Sequence, residues 1–279
     1  MRISPVFSLA LALAVAGAGV VYAREIAAAD LPAVVARAAP QVLVLGEVHD
    51  NPGHHLNQAA AVAALAPRAL VFEMLSPEQA AKVTPELIAD PARLAEVLDW
   101  AKSGWPEFSL YAPIFAAAPG ARIVGAALPR DQVRRAMAEP LAEVFGPGAA
   151  DYGLDRAYAP DLQAQLEAES QADHCNALPP DLLPGMVAAQ RLRDAAFARA
   201  ALGALEDTGG PVAVITGTGH ARADRAVPAM IRAARPGVRV ATLGQLEAGP
   251  GEVVGPDQPF DWWIVTPPTA RPDPCAAFQ

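Results

Sequence analysis

Cysteine is scarce in this 279-residue chain, and its distribution excludes one kind of membrane anchor. There are two cysteines and neither precedes Cys175, so the chain has no lipobox and no lipid anchor near its start. No Gly-x-Ser-x-Gly segment occurs, which excludes the nucleophile elbow of a serine hydrolase. The net charge of −9 makes nucleic acid and anionic membrane surfaces poor partners.

The first residues are typical of a secretory signal. Arg2 precedes an uncharged apolar run over residues 6–21, and residues 21–23 fit the small-x-small rule for signal peptidase. An uncleaved anchor helix is the alternative, but the run is short and rich in Ala and Gly for that role. We therefore expect residues 1–23 to be removed, leaving residues 24–279 as one soluble domain in the periplasm or outside the cell.

Aliphatic runs of strand length alternate with helical patterns along the chain. This alternation predicts an α/β fold with a mainly parallel sheet flanked by helices. Strands are predicted at 42–45, 69–73, 122–126, 212–216, 238–243 and 262–266, and helices at 28–38, 54–65, 91–101, 130–144, 154–170, 182–206 and 224–234. Residues 130–207 carry no strand signal, which predicts an all-helical insertion that caps the carboxyl ends of the strands.

Two of the predicted strands run into the same pattern, Gly-x-x-His. It occurs at residues 46–49 and again at residues 217–220. Because open α/β sheets bind ligands at the carboxyl ends of their strands, we expect His49 and His220 to face one cleft. Glu47 lies two residues before His49 and points to the same face, and Glu73 ends another strand.

Two kinds of chemistry suit these residues. Glu47, His49, Glu73 and His220 are candidate catalytic residues, with a glutamate as general base or ligand and the histidines binding metal or activating water. His49, Glu73 and His220, together with His54 from the next helix, form a candidate ligand set for one divalent metal. The alternative is that each side chain caps a helix or meets solvent.

The two cysteines form an even pair. In an oxidising compartment such a pair predicts a disulfide, here between Cys175 and Cys275, which would join the C-terminal tail to the helical insertion. The alternative is two free thiols, one of them beside His174.

The region around the first motif resembles the ChaN-like haem-binding family, in the Tiki/TraB and erythromycin-esterase superfamily with its paired Gly-x-x-His motifs. Matches begin at residues 46–52, 54–55 and 58 and recur at 72–74, 105, 111–113, 128–130, 174–175, 190–194, 219–220 and 227–228. The resemblance implies an α/β core, a periplasmic or outer-membrane location and a role in haem or iron uptake. The chain departs from many such proteins in lacking the lipobox Cys.

Haem binding requires an axial ligand to the iron, and in proteins that ligand is His, Tyr, Cys or Met. The candidates are Tyr111, Tyr152, Tyr158 and His174, and the apolar platform is expected within residues 105–115 or 146–158. No Cys-x-x-Cys-His segment supports covalent attachment. An exposed platform predicts a haem-linked homodimer.

The expected function is therefore that of a periplasmic haem-binding protein in haem or iron acquisition, with outer-membrane uptake components as further partners. A metal-dependent or histidine-based hydrolase of esters or peptides is the alternative. The third possibility is a non-enzymatic scaffold protein that retains a site no longer in use.

Overall fold

The predicted α/β class is confirmed by a seven-stranded sheet. A computed structural model describes residues 23–273 and 275–276, so the predicted signal segment lies outside the described residues except for Ala23. All paired strands are parallel, in the order β1-β7-β6-β2-β5-β3-β4. The strands are β1 (Arg24–Glu25), β2 (Val42–Glu47), β3 (Ala69–Phe72), β4 (Arg122–Gly125), β5 (Val212–Gly217), β6 (Val240–Glu247) and β7 (Trp262–Thr266).

Helices cover both faces of this sheet. They are α1 (Leu31–Ala38), α2 (Pro52–Leu65), α3 (Pro77–Ala80), α4 (Pro85–Ile88), α5 (Pro91–Val97), α6 (Phe108–Ala117), α7 (Arg130–Ala136), α8 (Leu141–Phe145), α9 (Pro160–Asp173), α10 (Leu183–Thr208) and α11 (Val227–Ala234). Within the described part of the chain, no helix is both long enough and apolar enough to span a bilayer.

The central strands are buried on both sides and divide their side chains between two cores. On β2, Leu43 and Leu45 face a core shared with α1, α2 and α6, whereas Val42 and Val44 face a core shared with α10 and α11. Successive strand residues point to opposite faces, so one aliphatic run supplies both cores. This explains why the strands appear as continuous apolar runs in the sequence.

The helical segment between β4 and β5 contributes to the fold as well as to the site. Its long helix α10 packs on β3 and β5 and buries Leu192, Ala195 and Phe197 in the second core. Asp194 of the same helix reaches the carboxyl end of β5. The described structure therefore places this segment across one sheet face and over the strand ends.

Several element boundaries differ from the prediction. The helix expected over 130–144 is divided into α7 and α8, and Pro140 caps the second of them. Helix α6 was not predicted, because apolar residues occur on all its sides, although only the stripe of Phe108, Tyr111, Ile114 and Phe115 is buried. Strand β6 continues to Glu247, four residues beyond its predicted end.

The tail of the chain is attached at two points. Cys175 and Cys275 form the predicted disulfide, which closes a loop with a sequence separation of 100. Arg271, earlier in the tail, makes ion pairs with Asp50 and Glu247 at 2.8 and 2.7 Å. The tail thus connects the loop that follows β2 to the end of helix α9.

Candidate functional site

The two Gly-x-x-His motifs lie side by side because β2 and β5 are neighbouring strands. Glu47 of the first motif is in register with Gly217 of the second. A Cβ on Gly46 would lie 2.8 Å from the Cα of Thr218, and one on Gly217 would lie 3.0 Å from Nε2 of His49. Each motif glycine therefore makes room for the other motif.

The first motif builds a histidine–carboxylate pair within one strand end. His49 Nδ1 donates to Glu47 Oε1 at 2.8 Å, and the ring of His49 lies against Trp105 with centroids 4.8 Å apart. The hydroxyl of Tyr111 donates to the same Glu47 oxygen at 2.9 Å. His55 Nδ1 faces the other oxygen of Glu47 at 3.5 Å.

The second motif builds a similar pair from two distant elements. His220 Nδ1 donates to Asp194 Oδ1 of α10 at 2.6 Å, and Phe197 packs edge-on against the imidazole. His220 Nε2 lies 3.5 Å from Glu73 Oε1. The structure thus brings His220 and Glu73 together, as predicted from the sequence.

Glu73 stands between the two histidines. Its Oε2 accepts hydrogen bonds from the Thr216 hydroxyl at 2.6 Å and from the Gly217 N–H at 2.8 Å. A Cβ added to Gly217 would lie 3.0 Å from His49 Nε2 and 3.9 Å from Glu73 Oε2. We refer to Glu47, His49, Glu73, Asp194 and His220 as the strand-end cluster.

The charges in the strand-end cluster support one another. Burial by itself lowers the pKa of His220, but the carboxylates of Glu73 and Asp194 outweigh burial and hold that pKa above its ordinary value. Burial likewise lowers the pKa of His49, while its hydrogen bond to Glu47 and the charge of Glu73 raise it overall. Burial alone raises the pKa of Glu73, but the two histidines and the hydrogen bonds keep it below the usual range.

A wide cleft of about 810 Å³ opens over the strand-end cluster. Glu73 and His220 line its floor, and Trp105 and Phe197 are among its walls. Three arginines, Arg130, Arg134 and Arg193, complete its lining. The volume is in the range of small-molecule sites, and the mixture of apolar walls with a few convergent polar groups is typical of them.

His54 does not join this cluster, contrary to the prediction. Its Nδ1 accepts from the Val48 N–H at 2.8 Å, and its Nε2 is bonded to the Thr266 hydroxyl at 2.8 Å. Both ring nitrogens are engaged, so neither has a lone pair available for a metal. Among residues 23–273 and 275–276, no three His, Cys, Asp or Glu side chains are arranged to hold a metal ion.

Tyr111 is also wrongly placed for its predicted role as a haem ligand. Its side chain is fully buried in the core, and burial together with the charge of Glu47 raises the pKa of its phenol. Its hydroxyl is bonded to Glu47 inside the core and is therefore out of reach of a haem iron. The stretch 105–115 is not a platform either, because Phe108 and Phe115 are buried and Trp105 is the part that reaches the wide cleft.

The other haem-ligand candidates lie in the helical segment. Tyr158 and His174 line one narrow cavity of about 210 Å³, whereas Tyr152 packs edge-on against Phe145 and is absent from that lining. Gln190 and Arg193 line both the narrow cavity and the wide cleft. The two spaces are therefore adjacent.

His174 is oriented by its own helix. Its Nδ1 donates to the carbonyl of Ser170 at 2.7 Å, so in the neutral imidazole the lone pair lies on Nε2. This arrangement orients metal-ligating histidines in many proteins. Tyr158 lies beneath the guanidinium of Arg191, 3.9 Å from the ring centre, and burial raises the pKa of its phenol.

Asp194 is a site residue that the sequence prediction did not single out. It lies on the predicted helix 182–206, where a polar residue can equally well belong to a solvated or salt-bridged face. Its position within the 190–194 match to the ChaN-like pattern was the available signal. Spacing could not show it, because the contact with His220 joins residues 26 positions apart.

Comparison with known proteins identifies relatives of this site and fold. The family described as "Haem-binding uptake, Tiki superfamily, ChaN" matches residues 34–231. No curated protein matches the sequence. The match to this family favours haem binding over the hydrolase alternative.

Solved structures share the architecture at low sequence identity. ChaN of Campylobacter jejuni, described by its cofacial haem binding, superposes with a TM-score of 0.63 at 19% identity, covering 83% of this chain and 89% of that protein. The type III effector HopBA1 gives a TM-score of 0.48 at 12% identity, with 85% and 92% of the two chains covered. The Campylobacter structure supports the fold, and the second likeness is too distant to support an inference.

Proposed function

Because this chain belongs to the ChaN family of haem-binding uptake proteins in the Tiki superfamily, we propose that it binds haem in the narrow cavity, through Tyr158 and His174. The observation that carries this proposal is that one cavity holds two side chains able to ligate haem iron. The hydrogen bond from His174 to Ser170 supports it further, because it leaves Nε2 as the acceptor nitrogen.

The rest of the cavity suits a large ring with two carboxylates. Leu166, Met186 and Val187 supply apolar surface for a porphyrin. Arg193 lines the same cavity, and a guanidinium there complements a haem propionate. Bound haem would supply an iron centre, which the protein would hold rather than use.

The narrow cavity is too small to enclose a haem, so much of the ring would remain uncovered. A second haem-loaded copy stacked on the exposed ring would cover it. The relative from Campylobacter is described by cofacial haem binding, and we propose the same mode for this chain. Haem should then promote a homodimer with two-fold symmetry.

A periplasmic role in haem or iron acquisition follows as part of this proposal. The signal-like start of the sequence supports export, and mature protein beginning near Arg24 is the expected product. Mass spectrometry of exported protein tests this step. Full-length protein in the membrane fraction, with Met1 retained, would contradict it.

Titration of the mature protein with haemin tests binding and site together. We expect a Soret shift at micromolar protein, loss of the tyrosinate charge-transfer band in Tyr158→Phe, and weaker binding by on the order of tenfold in His174→Ala. Tyr152→Phe is the matched control and should bind as the unmodified protein does. No Soret shift would refute haem binding, whereas unchanged binding by Tyr158→Phe combined with His174→Ala would refute only this cavity.

A further inference from the structure

Three arginines at the wide cleft have no protein partner in the part of the chain that the structure describes. Arg130 and Arg134 lie one helical turn apart on α7, and Arg193 faces the same space from α10. Neighbouring arginines are mostly paired: Arg135 with Glu139, Arg222 with Asp224 and Arg225 with Glu169. In a chain with a net charge of −9, such a cationic group beside a cleft is unexpected.

The carboxylate on the floor of the cleft does not neutralise these arginines. One oxygen of Glu73 is occupied by the Thr216 hydroxyl and the Gly217 N–H, and the other faces His220. His49 and His220 lower the pKa of Glu73 within the strand-end cluster. The wide cleft therefore presents a positive rim, and the contacts of the Glu73 carboxylate are with the cluster rather than with the three arginines.

The geometry points to a binding site for a small organic anion in the wide cleft, with its carboxylate or phosphate on Arg130, Arg134 and Arg193 and its apolar body against Trp105 and Phe197. Guanidinium groups are matched to planar and tetrahedral oxyanions, which they bind through two parallel hydrogen bonds. The cleft walls Trp105, Leu128, Val133 and Phe197 favour a ligand with an aromatic or otherwise flat apolar part. This site shares Arg193 with the proposed haem cavity, and it can be tested in haem-free protein.

Isothermal titration calorimetry of haem-free mature protein at low salt tests this proposal. The probes are benzoate, phenyl phosphate and the neutral benzyl alcohol, which share one ring and differ in charge. We expect at least one of the two anions to bind, and to bind more tightly than inorganic phosphate, while benzyl alcohol gives no measurable heat. Binding should weaken as ionic strength rises, because the arginines at the rim are partly screened.

Variants of adjacent arginines locate the site. Arg134→Gln and Arg193→Gln should each weaken binding by about tenfold, the effect of losing one charge-assisted contact. Arg135→Gln is the matched control, because Arg135 is the next residue on α7 but pairs with Glu139 outside the cleft lining. Equal circular dichroism spectra of the three variants establish that each is folded.

The outcomes separate the possible sources of the anion. Displacement of the bound probe by haem would identify the carboxylates of haem in the adjacent cavity as the occupant, and retention of the probe would identify a separate small molecule. Absence of binding by both aromatic anions at millimolar concentration overturns the proposal. Equal weakening by Arg134→Gln and Arg135→Gln also overturns it, because the effect would then reflect general surface charge.

Discussion

His49 and His220 occupy equivalent places at two neighbouring strand ends, yet their surroundings differ. His49 takes its carboxylate from Glu47, two residues earlier at the end of β2, and 34% of its side chain is exposed. His220 takes its carboxylate from Asp194 on α10, and only 7% of its side chain is exposed. The first pair is local and partly exposed, whereas the second is buried and depends on the packing of a distant helix.

This difference indicates that the two pairs have different structural roles within the strand-end cluster. A buried ion pair is expensive to break, because removing one partner leaves the other charged and without compensation. A partly exposed pair can exchange its partner for water. The second motif should therefore anchor the helical segment to the sheet, and the first should be the more adaptable side of the cleft.

Substitution of the two histidines is the strongest test of this comparison. His220→Ala should lower the free energy of unfolding by about 3–5 kcal/mol, since it leaves Asp194 and one oxygen of Glu73 buried without a partner. His49→Ala should lower it by about 1 kcal/mol, because Tyr111 still donates to Glu47. Urea denaturation measures both changes. Equal losses would show that the two motifs are equally structural.

The motif glycines provide a second, smaller test. Gly46→Ala should lower the free energy of unfolding by about 1–3 kcal/mol, because its Cβ would meet the backbone of Thr218 at 2.8 Å and the two strands cannot separate locally. Gly217→Ala should cost less, since its Cβ meets only the end of the His49 side chain, which can rotate towards the cleft. Gly219→Ala is the control, because nothing lies within 4 Å of its added carbon. If Gly217→Ala is as costly as Gly46→Ala, His49 is held rigidly and the first motif is not the adaptable one.

The strand-end half of the site could be predicted from the sequence, and the physical reason is the rigidity of a strand. Once residues 42–45 and 212–216 are read as parallel strands, the residues that follow them must emerge at one edge of the sheet. Glu47, His49, Glu73 and His220 are therefore brought together by the register of the strands. The alternation of strand and helix along the chain indicated the fold class in the same way.

The helical half could not be predicted as well. Which face of a helix meets a distant strand depends on packing that local periodicity does not encode, so Asp194 remained ambiguous beside Gln190 and Arg193. Tyr111 and His54 were misplaced for a related reason. Each lies on the buried face of its helix, and residue type alone does not show whether a polar atom points to the cleft or into the core.

Acidity gives the last and smallest test, because His54, which supports the first motif, and His220 of the second motif should respond to pH in opposite directions. Burial lowers the pKa of His54 to about 4, and this imidazole accepts the hydrogen bond of Val48 within the first motif. Its contribution to stability is complete above the unfolded-state pKa of about 6.5 and is lost as the pH falls from there through 4. The pKa of His220 is raised instead, so the contribution of its pair with Asp194 is complete below about 6.5 and is lost as the pH rises through the folded-state value.

Acid should therefore weaken the contact of His54 with Val48, whereas the raised pKa values of His49 and His220 keep both motif histidines charged. Urea denaturation between pH 4 and 7 should show a shallower loss of stability on acidification in His54→Asn than in the unmodified protein. Asparagine keeps an acceptor near the position of Nδ1 but does not titrate in this range.

Hydrogen exchange of the Val48 amide, bonded to His54 at 2.8 Å, should accelerate below pH 5 relative to Gly217, whose amide is bonded to Glu73 at the same distance. Glu73 is a sound reference, since the neighbouring histidines keep the pKa of its carboxyl low. If the two amides accelerate together, acid opens the strand ends as one unit, and the contrast between the motifs is lost.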